Sequence, residues 1–87
     1  MPRPTFTYHS DPGHGWLEVS IVDLHKAGLK EADFSAYSYL RSGRIYLEED
    51  CDATKFMKVW TEKFGVPTIV DKYVNHSSPI RDYAGNY

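Results

Sequence analysis

The 87-residue chain has one cysteine, Cys51. One thiol cannot close an intramolecular disulfide, so the fold is no disulfide scaffold and nothing points to an oxidising compartment. Long apolar runs are missing too. No stretch approaches the roughly 20 apolar residues that span a bilayer. Met1 to Phe6, MPRPTF, lacks the apolar run of a secretory signal. A cytoplasmic protein without a membrane partner is expected. Charge is not of one sign: ten Lys and Arg face twelve Asp and Glu, for a formal net charge of −2. General nucleic-acid binders are usually basic, so nucleic acid is not the favoured partner. There is no glycine-rich phosphate loop, no CxxC pair and no H-E-x-x-H. No cofactor is expected.

Aromatics are plentiful: seven Tyr, four Phe and two Trp. Each buried ring removes about 150–250 Å² from water. A domain of this size buries roughly 60 to 65% of its unfolded surface, enough for one thin core. The expectation is one domain over 1–87. Residues 5–9 and 15–19 alternate as strands around Asp11-Pro12-Gly13, a turn with a mechanism. Asp bonds its own backbone, Pro presets φ and Gly accepts positive φ. Ser20-x-x-Asp23 resembles a capping box and starts a helix over about 21–27. Gly28 supplies its left-handed end and Leu29 the apolar residue after it. Residues 36–41 and 44–49 form a hairpin about Ser42-Gly43. A two-residue turn pairs Leu40 with Ile45 and Tyr39 with Tyr46, which sorts Leu40, Ile45 and Leu47 to one face. Ala53, Phe56, Met57, Trp60 and Phe64 then fall at helical spacing over about 53–64, with Asp50 or Asp52 as cap. Residues 68–74 form a last strand, and Asp71 and Lys72 within it suggest an edge. Residues 75–87 read as an extended C-terminal tail. The fold class is α+β: a small antiparallel sheet with two helices, in the order ββαββαβ.

Four constellations carry candidate chemistry. His9, Asp11 and His14 offer metal-ligand types, and with them a small metal-dependent hydrolase. Turn chemistry already accounts for Asp11, Pro12 and Gly13, so no bound metal is expected. Glu48-Glu49-Asp50-Cys51-Asp52 gathers four carboxylates in five residues, a set able to help bind a divalent cation. Acids at a helix N-terminus meet its positive end and need no other reason, and Cys51 fits there as a small buried hydrophobe. Tyr37, Tyr39, Arg41, Arg44 and Tyr46 share the face opposite Leu40, Ile45 and Leu47. Tyr and Arg are enriched at interface hot spots and stack bases in single-strand binders. They are equally ordinary on a solvated sheet face, or under cover from the tail. Ser77-Ser78-Pro79-Ile80-Arg81 is an extended stretch with an apolar anchor that suits docking on a partner or, the plainer reading, on its own sheet.

As a set these blocks resemble a family of small uncharacterised proteins found in bacteria, phages and plasmids. The resemblance rests on Y-H-S-D-P-G-H-G-W-L-E-V from Tyr8 to Val19, F-S-A-Y-S-Y from Phe34 to Tyr39, Y-L-E-E-D-C-D-A from Tyr46 to Ala53, and S-P-I-R from Ser78 to Arg81. It implies a mobile-element setting, where small accessory proteins act as inhibitors or adaptors of the anti-CRISPR or anti-restriction type. The reading is a non-enzymatic module with a protein partner, whose binding residues are Tyr37, Tyr39, Arg41, Arg44 and Tyr46. The alternatives are the hydrolase above and a single-stranded nucleic-acid binder.

Overall fold

The computed structural model describes residues 5–35, 38–75 and 78–85. Strand β1 (Thr5–Ser10) turns into β2 (Gly15–Ser20), followed by helix α1 (Ile21–Lys26). A 3-10 turn at Glu31–Asp33 leads to β3 (Tyr39–Arg41) and β4 (Arg44–Glu48). Helix α2 (Asp52–Phe64), β5 (Thr68–Tyr73), a 3-10 helix (Pro79–Asp82) and β6 (Ala84–Gly85) complete the chain. The α+β class and the order ββαββαβ are as expected through β5. Ala36 and Tyr37, at the start of the expected 36–41 strand, lie outside the described residues.

Local chemistry explains each element. The Asp23 amide donates to Ser20 Oγ at 3.1 Å and starts α1. Gly28, at φ +80°, ends it. Ser42 and Gly43 both take positive φ, 51° and 77°, the requirement of a tight type I′ hairpin. The register is the expected one, with Tyr39 opposite Tyr46, Leu40 opposite Ile45 and Arg41 opposite Arg44.

The strands run in the order β5-β1-β2-β4-β3-β6. The sheet is mixed and not purely antiparallel, because β5 lies parallel to β1. The reason is the connection: β4 and β5 are joined through a 13-residue helix, and a helical crossover delivers a parallel strand where a hairpin delivers an antiparallel one. Residues 75–87 are more than an extended tail. Their described part turns through the 3-10 helix, and β6 pairs with β3.

Sidedness follows the pleat. Phe6, Leu17, Val19, Ile45 and Leu47 face the helices and pack with Leu24, Phe34, Ala53, Phe56 and Trp60. Trp60 meets the sheet edge-on at Phe6, with ring centroids 5.1 Å apart. Met57 is half-buried and Phe64, the last of the helical stripe, is exposed. The opposite face has its own cluster of Trp16, Tyr46 and Ile80. The fold is therefore helices, sheet and C-terminal segment in three layers.

Two polar arrangements brace the helix side. The Asp52 carboxylate is buried and accepts from the Ser35 amide (2.9 Å), the Ser35 hydroxyl (2.7 Å) and the Ser38 hydroxyl. Ser38 Oγ in turn accepts from the Glu48 amide at 3.0 Å. Asp52 is thus the first residue of α2 and no cap. Cys51 holds the cap position and is exposed, not a buried hydrophobe. The second arrangement is Tyr8 on Glu49, with the phenol donating at 3.2 Å. Burial, together with the Glu49 charge and this hydrogen bond, pushes the Tyr8 phenol up to about 12. It stays a donor throughout the neutral range.

Gly15 lies directly under that phenol. A Cβ there would stand 2.1 Å from the Tyr8 oxygen. Gly15→Ala should therefore displace the ring and cost about 1–3 kcal/mol, as overpacking does. In a Tyr8→Leu background the same substitution should cost little. Urea denaturation of the four proteins in a double-mutant cycle checks this; equal costs in both backgrounds would contradict it.

Candidate docking face of the sheet

The face turned from the helices presents His9 from β1, Trp16 and Glu18 from β2, and Arg44 and Tyr46 from β4. Tyr39 and Arg41 come from β3, and Lys72 from β5. Alternation along each strand and the pairing registers bring them together. The C-terminal segment crosses this face. Its anchor is Asp11, which is buried. Asp11 Oδ1 accepts from the amides of Gly13 and His14, both at 2.9 Å. Asp11 Oδ2 accepts from the Ser78 amide at 2.9 Å. Ser78 then caps the 3-10 helix by accepting from the Ile80 amide at 3.3 Å, and Ile80 is buried against Trp16 and Tyr46. The expected docking of this stretch on its own sheet is what the structure has from Ser78 to Ile80; Ser77 lies outside the described residues.

Tyr46 is consequently part of the fold. It is only 8% exposed, and the Tyr83 ring lies 5.0 Å from its own. Burial, with the Glu18 charge behind it, raises its phenol above the ordinary value. The expected open row of tyrosines is thus corrected. Tyr46 is floor, Tyr39 is half-buried, and Tyr37 lies outside the described residues. The arginines do stand in solvent. Arg41 sits over the Tyr83 ring at 4.7 Å from its centroid. Tyr83 was missed in the sequence. A signal was present in Trp16: a tryptophan alternating with Leu17 and Val19 points away from their core, and so needs cover of its own.

Between the segment and the strands lies a cleft of about 310 Å³, lined by His9, Glu18, Tyr46, Lys72, Ile80 and Tyr83 among others. Glu18 organises its wall. His9 Nε2–H donates to Glu18 Oε1 at 2.8 Å, and Arg44 donates to Glu18 Oε2. Burial alone would raise the Glu18 carboxyl. The hydrogen bonds and charges of His9 and Arg44 outweigh it and hold the group below its ordinary value. Among the described residues no serine, threonine or cysteine side chain hydrogen-bonds the His9 ring. The pair orients this part of the face.

The His9, Asp11 and His14 set is not brought together. His9 turns to Glu18, Asp11 to backbone amides, and His14 stands 3.8 Å from Glu49. Among the described residues the grouped donor atoms are those of Glu48, Glu49 and Asp50, within 4.8 Å of one another. Glu48 there accepts from the amides of Asp50 (3.1 Å) and Cys51 (3.3 Å), which is helix-start chemistry. Among the described residues no helix is long and apolar enough to cross a membrane. No protein-family model, no curated protein and no solved structure matches this chain.

Two outcomes are expected. Tyr46→Ser should lower stability by about 3 kcal/mol or more, as loss of a buried ring does, and release the Tyr83 contact; an unchanged urea midpoint would contradict its burial. Glu18→Gln removes a carboxylate whose folded value is depressed. That stabilisation is present above the ordinary glutamate range and is lost as pH falls through the folded value. Wild type should therefore exceed Glu18→Gln in stability at neutral pH, and the gap should close in acid. A gap that widens in acid would contradict the assignment.

Proposed function

We propose that the chain is a non-enzymatic protein-binding module that docks through the outer face of its sheet onto an acidic surface. The observation that carries this is the pairing of exposed Arg41 and Arg44 with half-buried Tyr39 and Tyr83 on a face packed from within by Trp16, Tyr46 and Ile80. Rigid aromatics with arginines at the rim are hot-spot chemistry, because a ring already held in place loses little entropy on binding. Arg41 and Arg44 stand side by side in solvent on β3 and β4, Arg44 beside Glu18, and this arginine pair favours an acidic partner over a random one. The resemblance to small proteins of phages and plasmids extends the proposal. The partner is a component of a host defence system, and the module acts as an inhibitor of the anti-CRISPR or anti-restriction type.

A nucleic-acid ligand would use the same arginines and rings, and salt and nuclease separate the two. The test is affinity capture from the native host with wild type and with Arg41→Glu/Arg44→Glu as bait, before and after nuclease. A protein retained by wild type after nuclease, and lost by a double variant with wild-type circular dichroism, is the expected result. Arg41 charge reversal alone should weaken that complex at least about tenfold, the loss of one charge-assisted contact. Capture that vanishes with nuclease would replace the protein partner by nucleic acid. Capture undiminished in the double variant would move the site elsewhere.

A further inference from the structure

β5 is the terminal strand of the sheet, and all six of its residues are exposed. Among the described residues its backbone is half used. Beyond its end the ladder to β1 continues, with the Val74 amide donating to the Ser10 carbonyl at 2.9 Å. In a parallel ladder alternate residues turn both backbone groups to the same neighbour. Thr68, Val70 and Lys72 therefore bond inward to β1. The N–H and C=O of Ile69, Asp71 and Tyr73 point out of the sheet. The side chains at this edge are apolar well beyond what solvent favours: Phe64 is 52% exposed, Val66 57%, Val70 44% and Tyr73 63%, with Ile69 beside them. Of the large hydrophobics exposed among the described residues, Val22 alone lies outside 64–73. Open backbone groups beside clustered apolar side chains make a template for another strand.

The strand's own sequence favours a copy of itself. Antiparallel pairing about a two-fold axis normal to the sheet places one residue opposite its own symmetry mate. Centring on Asp71 sets two carboxylates face to face. Centring on Lys72 does the same with two ammonium groups, and like charges directly opposite are destabilising. Centring on Ile69 leaves only residues 68–70 paired within both strands. Centring on Val70 avoids all three faults. It sets Val70 against Val70, Thr68 against Lys72 and Val66 against Val74, all on one face. It also makes each Ile69 and Asp71 of the two copies a hydrogen-bonded pair through their outward groups.

We propose that β5 is a self-association edge, pairing antiparallel with β5 of a second copy in the register that sets Val70 opposite Val70. The occupied surface is one strand with its flanking side chains, at the small end of specific interfaces. Dimerisation is accordingly concentration-dependent. The two-fold axis keeps like faces together, so both outer faces share one side of a continuous sheet.

The test is sedimentation of the purified full chain over a wide concentration range, with two sets of variants. Asp71→Pro removes an outward N–H and leaves the β1 ladder intact; it is expected to abolish the dimer at concentrations where wild type and Asp71→Ala associate. In a Cys51→Ser background, Val70→Cys should cross-link rapidly under mild oxidation. Non-hydrogen-bonded antiparallel partners have Cα atoms about 4.5 Å apart, within disulfide reach. Asp71→Cys and Lys72→Cys should cross-link far more slowly. The cysteine series reports the register even if Asp71→Pro does not fold. A wild type that stays monomeric throughout, a dimer that survives Asp71→Pro, or preferential cross-linking at position 71 or 72 would overturn the proposal.

Discussion

The Asp11 carboxylate is the contact on which the outer half of the molecule depends. One oxygen closes the β1–β2 turn through two amides, and the other holds the Ser78 amide, 67 residues further along the chain. A hydrogen bond to a charged acceptor contributes about 1.5–3 kcal/mol. Its larger effect is positional. It sets the start of the segment that brings Ile80 onto Trp16 and Tyr46. Without that cover two large rings on the outer face would meet water, and the sheet would be a two-layer structure with an exposed aromatic patch. A single carboxylate thus couples the first turn of the chain to its last layer.

The same contact explains why the side chains of the histidine-rich turn do not converge. Asp11 accepts from the backbone amides of Gly13, His14 and Ser78. The three described histidines each stand beside a separate glutamate: His9 with Glu18, His14 with Glu49, His25 with Glu31. Proximity in sequence placed two imidazoles and a carboxylate within six positions, and the geometry distributes them among different partners. Turn chemistry was sufficient to read Asp11, Pro12 and Gly13. The third role of Asp11, as the tether of Ser78, has no local signature.

That contrast marks how far the sequence was legible. The α2 stripe, the Ser20 cap and the Ser42-Gly43 register depend on residues within a few positions of one another, and periodicity reads them. The Tyr39–Tyr46 pairing followed from sorting apolar residues to one face. What escaped was long-range. The parallel seat of β5 is decided by how the α2 crossover lies on the sheet. The burial of Tyr46 is decided by Ile80 and Tyr83, far along the chain. The Asp52 carboxylate reads as a helix cap and instead serves Ser35 and Ser38, which the fold brings against the start of α2. The candidate face was legible as a set of residue types. Which of them remain at the surface was not, since that depends on the third layer.

Filling the outer face from behind also decides what surface is left for recognition. Among the described residues of the sheet, the arginine rim about Tyr39 and Tyr83 and the β5 edge stay open. They differ in kind. The rim is cationic and held by Glu18 and Tyr83, so it suits discrimination by charge. The edge is apolar with outward backbone groups, so it suits pairing with a strand, and Asp71 and Lys72 restrict the register. Charges on an edge strand ordinarily serve to repel other strands. Here they sit on adjacent residues and so on opposite faces, where they penalise some registers and spare the one centred on Val70. An edge so guarded selects among alignments more than it forbids association. Two rims on one side of a shared sheet would then meet a repeating acidic partner at a fixed separation, and the second contact would form at the effective concentration set by the first.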